Sequence, residues 1–217
     1  MLGSRAVTLL LCLVAAGCAH LPGLRFPDSP RDLDRAGEGP AVAVLAGGCF
    51  WGMEAVFERL AGVIDVVSGY SGGSAQTAFY DAVGMGNTGH AESIRIEYDP
   101  ARISYGTLLK VFFSVAHDPT KLDSQYPDVG TQYRSVIFAA DEAQRVVALA
   151  YVDELDRSGL LSGPIATEVV PLEAFYRAEE YHQDFVARNP KVRYVIEWDV
   201  PLLEKLERTY PGLVAKT

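Results

Sequence analysis

The short apolar run Ala41-Val42-Ala43-Val44-Leu45-Ala46 stops at Gly47-Gly48, and Cys49-Phe50-Trp51-Gly52 follows at once. This junction constrains the fold more than any other stretch of the chain. A continuous apolar run ended by glycines reads as a buried strand, and Trp51, Ala55, Val56 and Leu60 then recur at helical spacing. Cys49 therefore sits where a strand turns into a helix. Free N–H groups and the positive end of the helix dipole at that position favour a thiolate over a thiol. A lone cysteine is most often a small buried hydrophobe. Here two large aromatics adjoin it in a tight turn, and at least one of them is expected to line a pocket. The combination points to a nucleophilic sulfur.

The segment before this junction reads as a leader and a tether. Arg5 supplies a minimal positive region, and Ala6 to Ala16 is an apolar stretch too short to span a bilayer comfortably. It ends in Val14-Ala15-Ala16-Gly17-Cys18, which resembles a bacterial lipoprotein signal, with Ala15 where such signals usually carry leucine. The expectation is a signal peptide over 1–17, lipidation of Cys18 and a flexible tether over 18–40, rich in Pro, Gly, Asp and Arg. The alternatives are an ordinary secretory leader and a single-pass anchor. A lipid anchor places the protein in the bacterial cell envelope; by analogy with enteric bacteria, Ala19 after the lipidated cysteine leans towards the periplasmic side of the outer membrane, with another membrane as the alternative. Residues 41–217 then form one catalytic domain, long enough for one sizeable core.

Charge and cysteine count narrow the function. A formal charge of −9 without a basic stretch argues against nucleic acid. Of the three cysteines, Cys12 is lost with the leader and Cys18 is acylated, so Cys49 has no intramolecular thiol partner. The histidines (His20, His90, His117, His182) lack ligand-like spacing, and neither a metal nor a cofactor is expected.

Further along, strands are expected at Val63–Val67, His90–Tyr98, Ser135–Ala140 and Ala166–Pro171. Helices are expected after Ser104, from Asp141 to about Arg157, through most of Glu173–Arg188, and over Pro201–Arg208. The order β-α-β-β-α-β with a further helix and strand predicts an α/β (α+β) two-layer sandwich. It resembles the ferredoxin-like split βαβ plan with added C-terminal elements. Glu92 stands beside a glycine loop at a strand start. Held in an apolar pocket it would stay protonated as a proton donor; on a strand edge it would be an ordinary solvated acid. Tyr80 and Tyr133 fall at loop–strand junctions, where a phenol can donate to a substrate oxygen or simply reach water from the core. Asp128 caps a turn, holds a water or positions the Tyr133 hydroxyl.

Four motifs resemble those of the A-type peptide methionine sulfoxide reductases. They are Gly48-Cys49-Phe50-Trp51-Gly52, Gly89-His90-Ala91-Glu92, Asp128-Val129-Gly130-Thr131-Gln132-Tyr133-Arg134-Ser135 and Ala178-Glu179-Glu180-Tyr181-His182-Gln183. The likeness runs from about Val42 to Pro190 in the family's order. It implies that Cys49 attacks the sulfoxide sulfur and becomes a sulfenic acid. Glu92, Tyr80 and Tyr133 would contact the sulfoxide oxygen, Phe50 and Trp51 would hold the methyl group, and Asp128 would order the site through water. The family takes the S epimer of free and protein-bound methionine sulfoxide. Many relatives carry further C-terminal cysteines, whereas this chain has none after Cys49. The expected reductant is therefore an external thiol: a thioredoxin-like protein, a glutaredoxin or a small thiol. The domain is expected to be a monomer. A cysteine peroxidase or acyl-transfer enzyme is less consistent, because no histidine adjoins Cys49. A non-catalytic methionine-peptide binder would be expected to lack the nucleophile or the acid.

Overall fold

The computed structural model describes residues 26–216. The leader, Cys18 and the first part of the tether lie outside the described residues. Strand β1 (Ala41–Ala46) leads into α1 (Phe50–Glu58), and β2 (Val63–Ser71) follows. A short helix α2 (Tyr80–Val83) precedes β3 (Ala91–Tyr98), and α3 (Tyr105–Val111) continues as a π turn over Phe112–Ala116. Next come a small hairpin, β4 (Ser124–Gln125) and β5 (Asp128–Val129), then β6 (Val136–Ala139), α4 (Glu142–Ser158) and β7 (Glu168–Pro171). The chain ends with β8 (Phe175–Arg177), α5 (Phe185–Arg188) and α6 (Val200–Thr209).

The six-stranded sheet has the order β7-β6-β1-β3-β2-β8. Its antiparallel centre, β6-β1-β3-β2, is the split βαβ arrangement anticipated from the element order. The C-terminal additions extend both edges: β7 runs parallel to β6, and β8 runs antiparallel to β2. β1 is apolar throughout because both its faces are covered. Ala43 and Leu45 enter the main core with Phe57, Ile94 and Leu108, while Val44 and Ala46 pack with Val136 and Phe138 on the opposite side. Two helix starts have the anticipated caps. Ser104 accepts from Thr107 N–H at 3.2 Å and Asp141 accepts from Gln144 N–H at 2.8 Å. Among the described residues no helix is long and apolar enough to cross a membrane.

Two expectations are corrected. The stretch Glu173–Arg188 is not mostly helical. Phe175–Arg177 pairs with the free edge of β2, and only short helical turns follow. An unpaired sheet edge outweighs local helix preference. Gly69 of β2 makes the pairing possible, since a Cβ there would lie 2.3 Å from the Phe175 ring. Where β8 ends, Gln183 takes over: its amide bonds both the N–H and the C=O of Ser68, each at 3.0 Å.

The second correction concerns the tether. Residues 26–40 are docked on the domain, with Phe26 and Leu33 packed against the core. Asp32 accepts from Gly106 N–H at 2.9 Å, Tyr151 donates to the carbonyl of Pro27 at 2.7 Å, and Arg35 pairs with Asp141. Isolated anchors of this kind have no period, so composition alone reads the segment as loose.

Candidate active site

Cys49 is the N-cap of α1 and is half-buried; it is the one free cysteine among the described residues. Gly48 before it has φ +94°, and a Cβ at that position would lie 2.7 Å from the Gln125 side chain. Only glycine lets the chain turn here with the β4–β5 hairpin so close. β3 supplies Glu92 from the middle of the sheet, only 3% exposed, where it faces the start of α1. Its Oε2 accepts from Phe50 N–H at 3.1 Å, a bond that satisfies one free donor of the helix end. The other oxygen is left to carry a proton.

A cavity of about 210 Å³ gathers all seven residues expected at the site: Cys49, Phe50, Trp51, Tyr80, Glu92, Asp128 and Tyr133, with Tyr194 added. Tyr80 opens α2 rather than adjoining a strand, and Tyr133 lies on a 3₁₀ turn after the hairpin. Burial pushes the Glu92 carboxyl up to about 8 against the opposing pull of the Phe50 N–H, and the nearby Asp128 charge adds to the rise. Both phenols are also pushed up, first by burial and then by Glu92. At neutral pH this part of the site is therefore an uncharged set of hydrogen-bond donors.

The thiol departs from expectation. Burial and the facing Glu92 push Cys49 well above the ordinary thiol range, against the opposing pull of the Trp51 backbone N–H. The helix end does not outweigh desolvation, and the resting nucleophile is a protonated thiol.

Two features were not legible in the sequence. Asp128 is bonded by the Tyr194 hydroxyl rather than by Tyr133. Tyr194 lies far along the chain in a stretch without a motif, and no sequence signal marks it. His182, part of the fourth motif but given no role there, is 1% exposed, and its Nδ1 accepts from the Trp51 indole N–H at 3.1 Å. Trp51 also stacks on Phe185, with centroids 3.6 Å apart and planes 7° from parallel. Glu179 accepts from Tyr80 N–H at 3.0 Å and from the Tyr70 hydroxyl at 2.9 Å, so it holds the start of α2. The Ala178–Gln183 motif thus fixes one aromatic wall of the cavity and one of its phenols. Among the described residues no group of three His, Cys, Asp or Glu side chains could hold a metal ion.

The peptide methionine sulfoxide reductase family model matches residues 41–211. The chain belongs to that family. Among its relatives, the reductase MsrA 2 of Synechocystis sp. is 54% identical over 188 residues, covering 85% of this chain and 88% of the relative. MsrA 2 of Mesorhizobium japonicum is 48% identical over 183 residues, covering 84% of this chain and 94% of the relative. Among solved structures, reduced Mxr1 from Saccharomyces cerevisiae superposes with a TM-score of 0.66 at 35% identity, covering 70% of this chain and 87% of that one. Methionine sulfoxide reductase A of Corynebacterium diphtheriae gives 0.60 at 34% identity, covering 72% and 78%. The reductase family match starts at β1 and runs through α6, so it spans every element that builds the cavity.

Proposed function

We propose that this reductase converts the S epimer of methionine sulfoxide, free and within proteins, to methionine and so repairs oxidised proteins. The observation that carries the reading is the buried, protonated Glu92 sharing a small cavity with the Cys49 thiol and two neutral phenols. A sulfoxide sulfur is a poor electrophile until its oxygen is protonated or strongly hydrogen-bonded. Glu92, Tyr80 and Tyr133 supply those donors in a site of low dielectric. Phe50 and Trp51 form the apolar wall for the methyl group, and their fixed placement relative to the oxygen donors selects the epimer.

In the reaction, Glu92 passes its proton to the sulfoxide oxygen as Cys49 Sγ attacks the sulfur. The thiol proton returns to Glu92, oxygen moves onto Sγ, and methionine leaves with Cys49 as a sulfenic acid. Atoms balance: sulfoxide plus thiol gives thioether plus sulfenic acid. No cysteine follows Cys49 in the sequence, so a thioredoxin-like protein, a glutaredoxin or a small thiol regenerates it. The lipoprotein-like signal supports export and anchoring through Cys18.

The test is a single turnover of leader-free protein with each sulfoxide epimer, alongside Cys49→Ser. One methionine per enzyme from the S epimer, none from the R epimer and none from the variant is the expected result. No methionine from the S epimer overturns the proposal. Fractionation of full-length protein against Cys18→Ser tests the anchor, which a wholly soluble unmodified protein would exclude.

A further inference from the structure

A second cavity, of about 370 Å³, opens beside the first and shares only Cys49, Asp128 and Tyr194 with it. Its floor is made by Gly47 and Gly48 before the nucleophile, and its walls by the β4–β5 hairpin and the start of α6. Tyr126 at its rim is 80% exposed, so solvent reaches it. The substrate-oxygen donors Glu92, Tyr80 and Tyr133 all lie in the first cavity and none in the second. Cys49, with the bonded Asp128–Tyr194 pair, therefore stands as the partition between two compartments.

That placement has a stereoelectronic consequence for the second half of the reaction. After oxygen transfer, the sulfenic hydroxyl remains among the donors of the first cavity. A thiol that displaces it must enter the antibonding orbital behind the S–O bond, on the far side of Sγ from the oxygen. We propose that the second cavity is the site through which the external thiol reaches the oxidised Cys49. This inference rests on the function proposed above.

The step balances. The incoming thiol gives up its proton as its sulfur bonds to Sγ, and the S–O bond breaks. Hydroxide takes a proton from Glu92 and leaves as water, and the thiol's proton restores the inventory. A second equivalent of thiol then attacks the mixed disulfide, returning the Cys49 thiol and releasing an external disulfide. Lys205 lies in this cavity, half-buried, with no carboxylate within ion-pair distance among the described residues. It shares the lining with the carboxyl groups of Asp118, Asp128, Glu197 and Asp199, so the thiol enters with its proton and gives it up only as the S–S bond forms. Asp199 sits on the same side, 2% exposed, with Oδ2 lacking a hydrogen-bond partner. It lines the cavity as a buried carboxyl group at the start of α6.

The experiment separates the two half-reactions. Lys205→Trp and Leu202→Phe narrow the second cavity while leaving every residue of the first in place. Methionine released in one turnover without reductant reports oxygen transfer. The rate at which dithiothreitol or thioredoxin consumes the preformed sulfenic acid reports the thiol step. We expect the methionine burst to be retained and the thiol step to slow about tenfold or more with both reductants. Slowing with thioredoxin alone would mean a protein-docking face rather than a route to Sγ, and would overturn the proposal. So would a thiol step within twofold of the unmodified enzyme, or a burst that falls in parallel. The unmodified protein gives a second readout that needs no variant. Cys49 trapped as a mixed disulfide with a small thiol should shield Lys205 from acylation, whereas bound dimethyl sulfoxide should not; equal labelling in both states overturns the proposal. Absence of any burst in the unmodified protein would instead reject the function itself, so the two failures are distinguishable.

Discussion

Glu92→Gln isolates proton delivery from the geometry that surrounds it. The amide has nearly the same volume, keeps an oxygen to accept from Phe50 N–H, and is neutral like the acid it replaces below about 8. The variant should fold, and it loses only the ability to release a proton to the sulfoxide oxygen. A positioned general acid contributes roughly 10²–10⁴-fold, or about 3–5 kcal/mol of barrier. The expected loss in single-turnover methionine release at pH 6–7 lies in that range. Steady-state rates would mask it if the thiol step limits turnover, so rapid quench is the right assay. pH gives the second signature. The acid form of Glu92 is the active one, so the unmodified rate should be flat below about 8 and fall as pH rises through that value. The variant should lack this descending limb. Above it, the variant's thiol should ionise at lower pH than the native one, because the ionised Glu92 that opposes the thiolate is gone. Alkylation rate against pH reads this directly. Retention of the native rate within threefold, or a native profile with no loss above pH 8, would refute the reasoning.

Other outcomes follow from burial and backbone geometry. Glu54, 1% exposed with both carboxyl oxygens unpartnered, is pushed up to about 8, mainly by burial. Its folded value lies above the unfolded one, so the native state binds more protons between about 4.5 and 8, and stability falls as pH rises through that window. Glu54→Gln should flatten this trend, removing about 4 kcal/mol of the difference in unfolding free energy between pH 4 and pH 8. Denaturant melts at the two pH values check it. Gly48→Ala meets both a φ of +94° and a Cβ 2.7 Å from Gln125, so it should cost about 2–4 kcal/mol and slow the methionine burst. An unchanged melting midpoint would contradict that account.

How much of this was visible in the chain depended on whether a feature is local. The β1–α1 junction, the Ser104 and Asp141 caps and the split βαβ order are written in short windows, because strand, cap and helix patterns repeat over a few residues. Six of the site's residues were also readable within contiguous motifs, and the cavity brings them together with Tyr80, which lies in none. What stayed hidden comes from long-range pairing. Tyr194 owes its place to Asp128, 66 residues earlier, and His182 to Trp51, 131 residues earlier. β8 exists because an edge of β2 was free, and the docked 26–40 segment rests on single anchors such as Asp32 on Gly106.

The thiol shows why local reading fails even at the most legible spot. From the sequence, Cys49 at a helix start faces two or three free N–H groups, which favours ionisation. Folding brings in walls from α1, α2, β3, the β4–β5 hairpin and the turn holding Tyr194, and their combined desolvation and the facing acid reverse the sign. The same burial keeps Glu92 protonated, so thiol and acid are two results of one cause. A site in which both groups ionised would hold two negative charges in low dielectric and have no proton for the oxygen. One in which both stay neutral holds the proton the sulfoxide needs beside a nucleophile that is unreactive until the substrate arrives. A bound sulfoxide, polarised by three donors, carries positive charge on its sulfur next to Sγ. That charge stabilises the thiolate more than the helix end does, because it lies inside the same dry cavity. Activation of the cysteine is thus tied to occupancy of the site, and in the absence of substrate its low reactivity follows from the packing that builds the pocket.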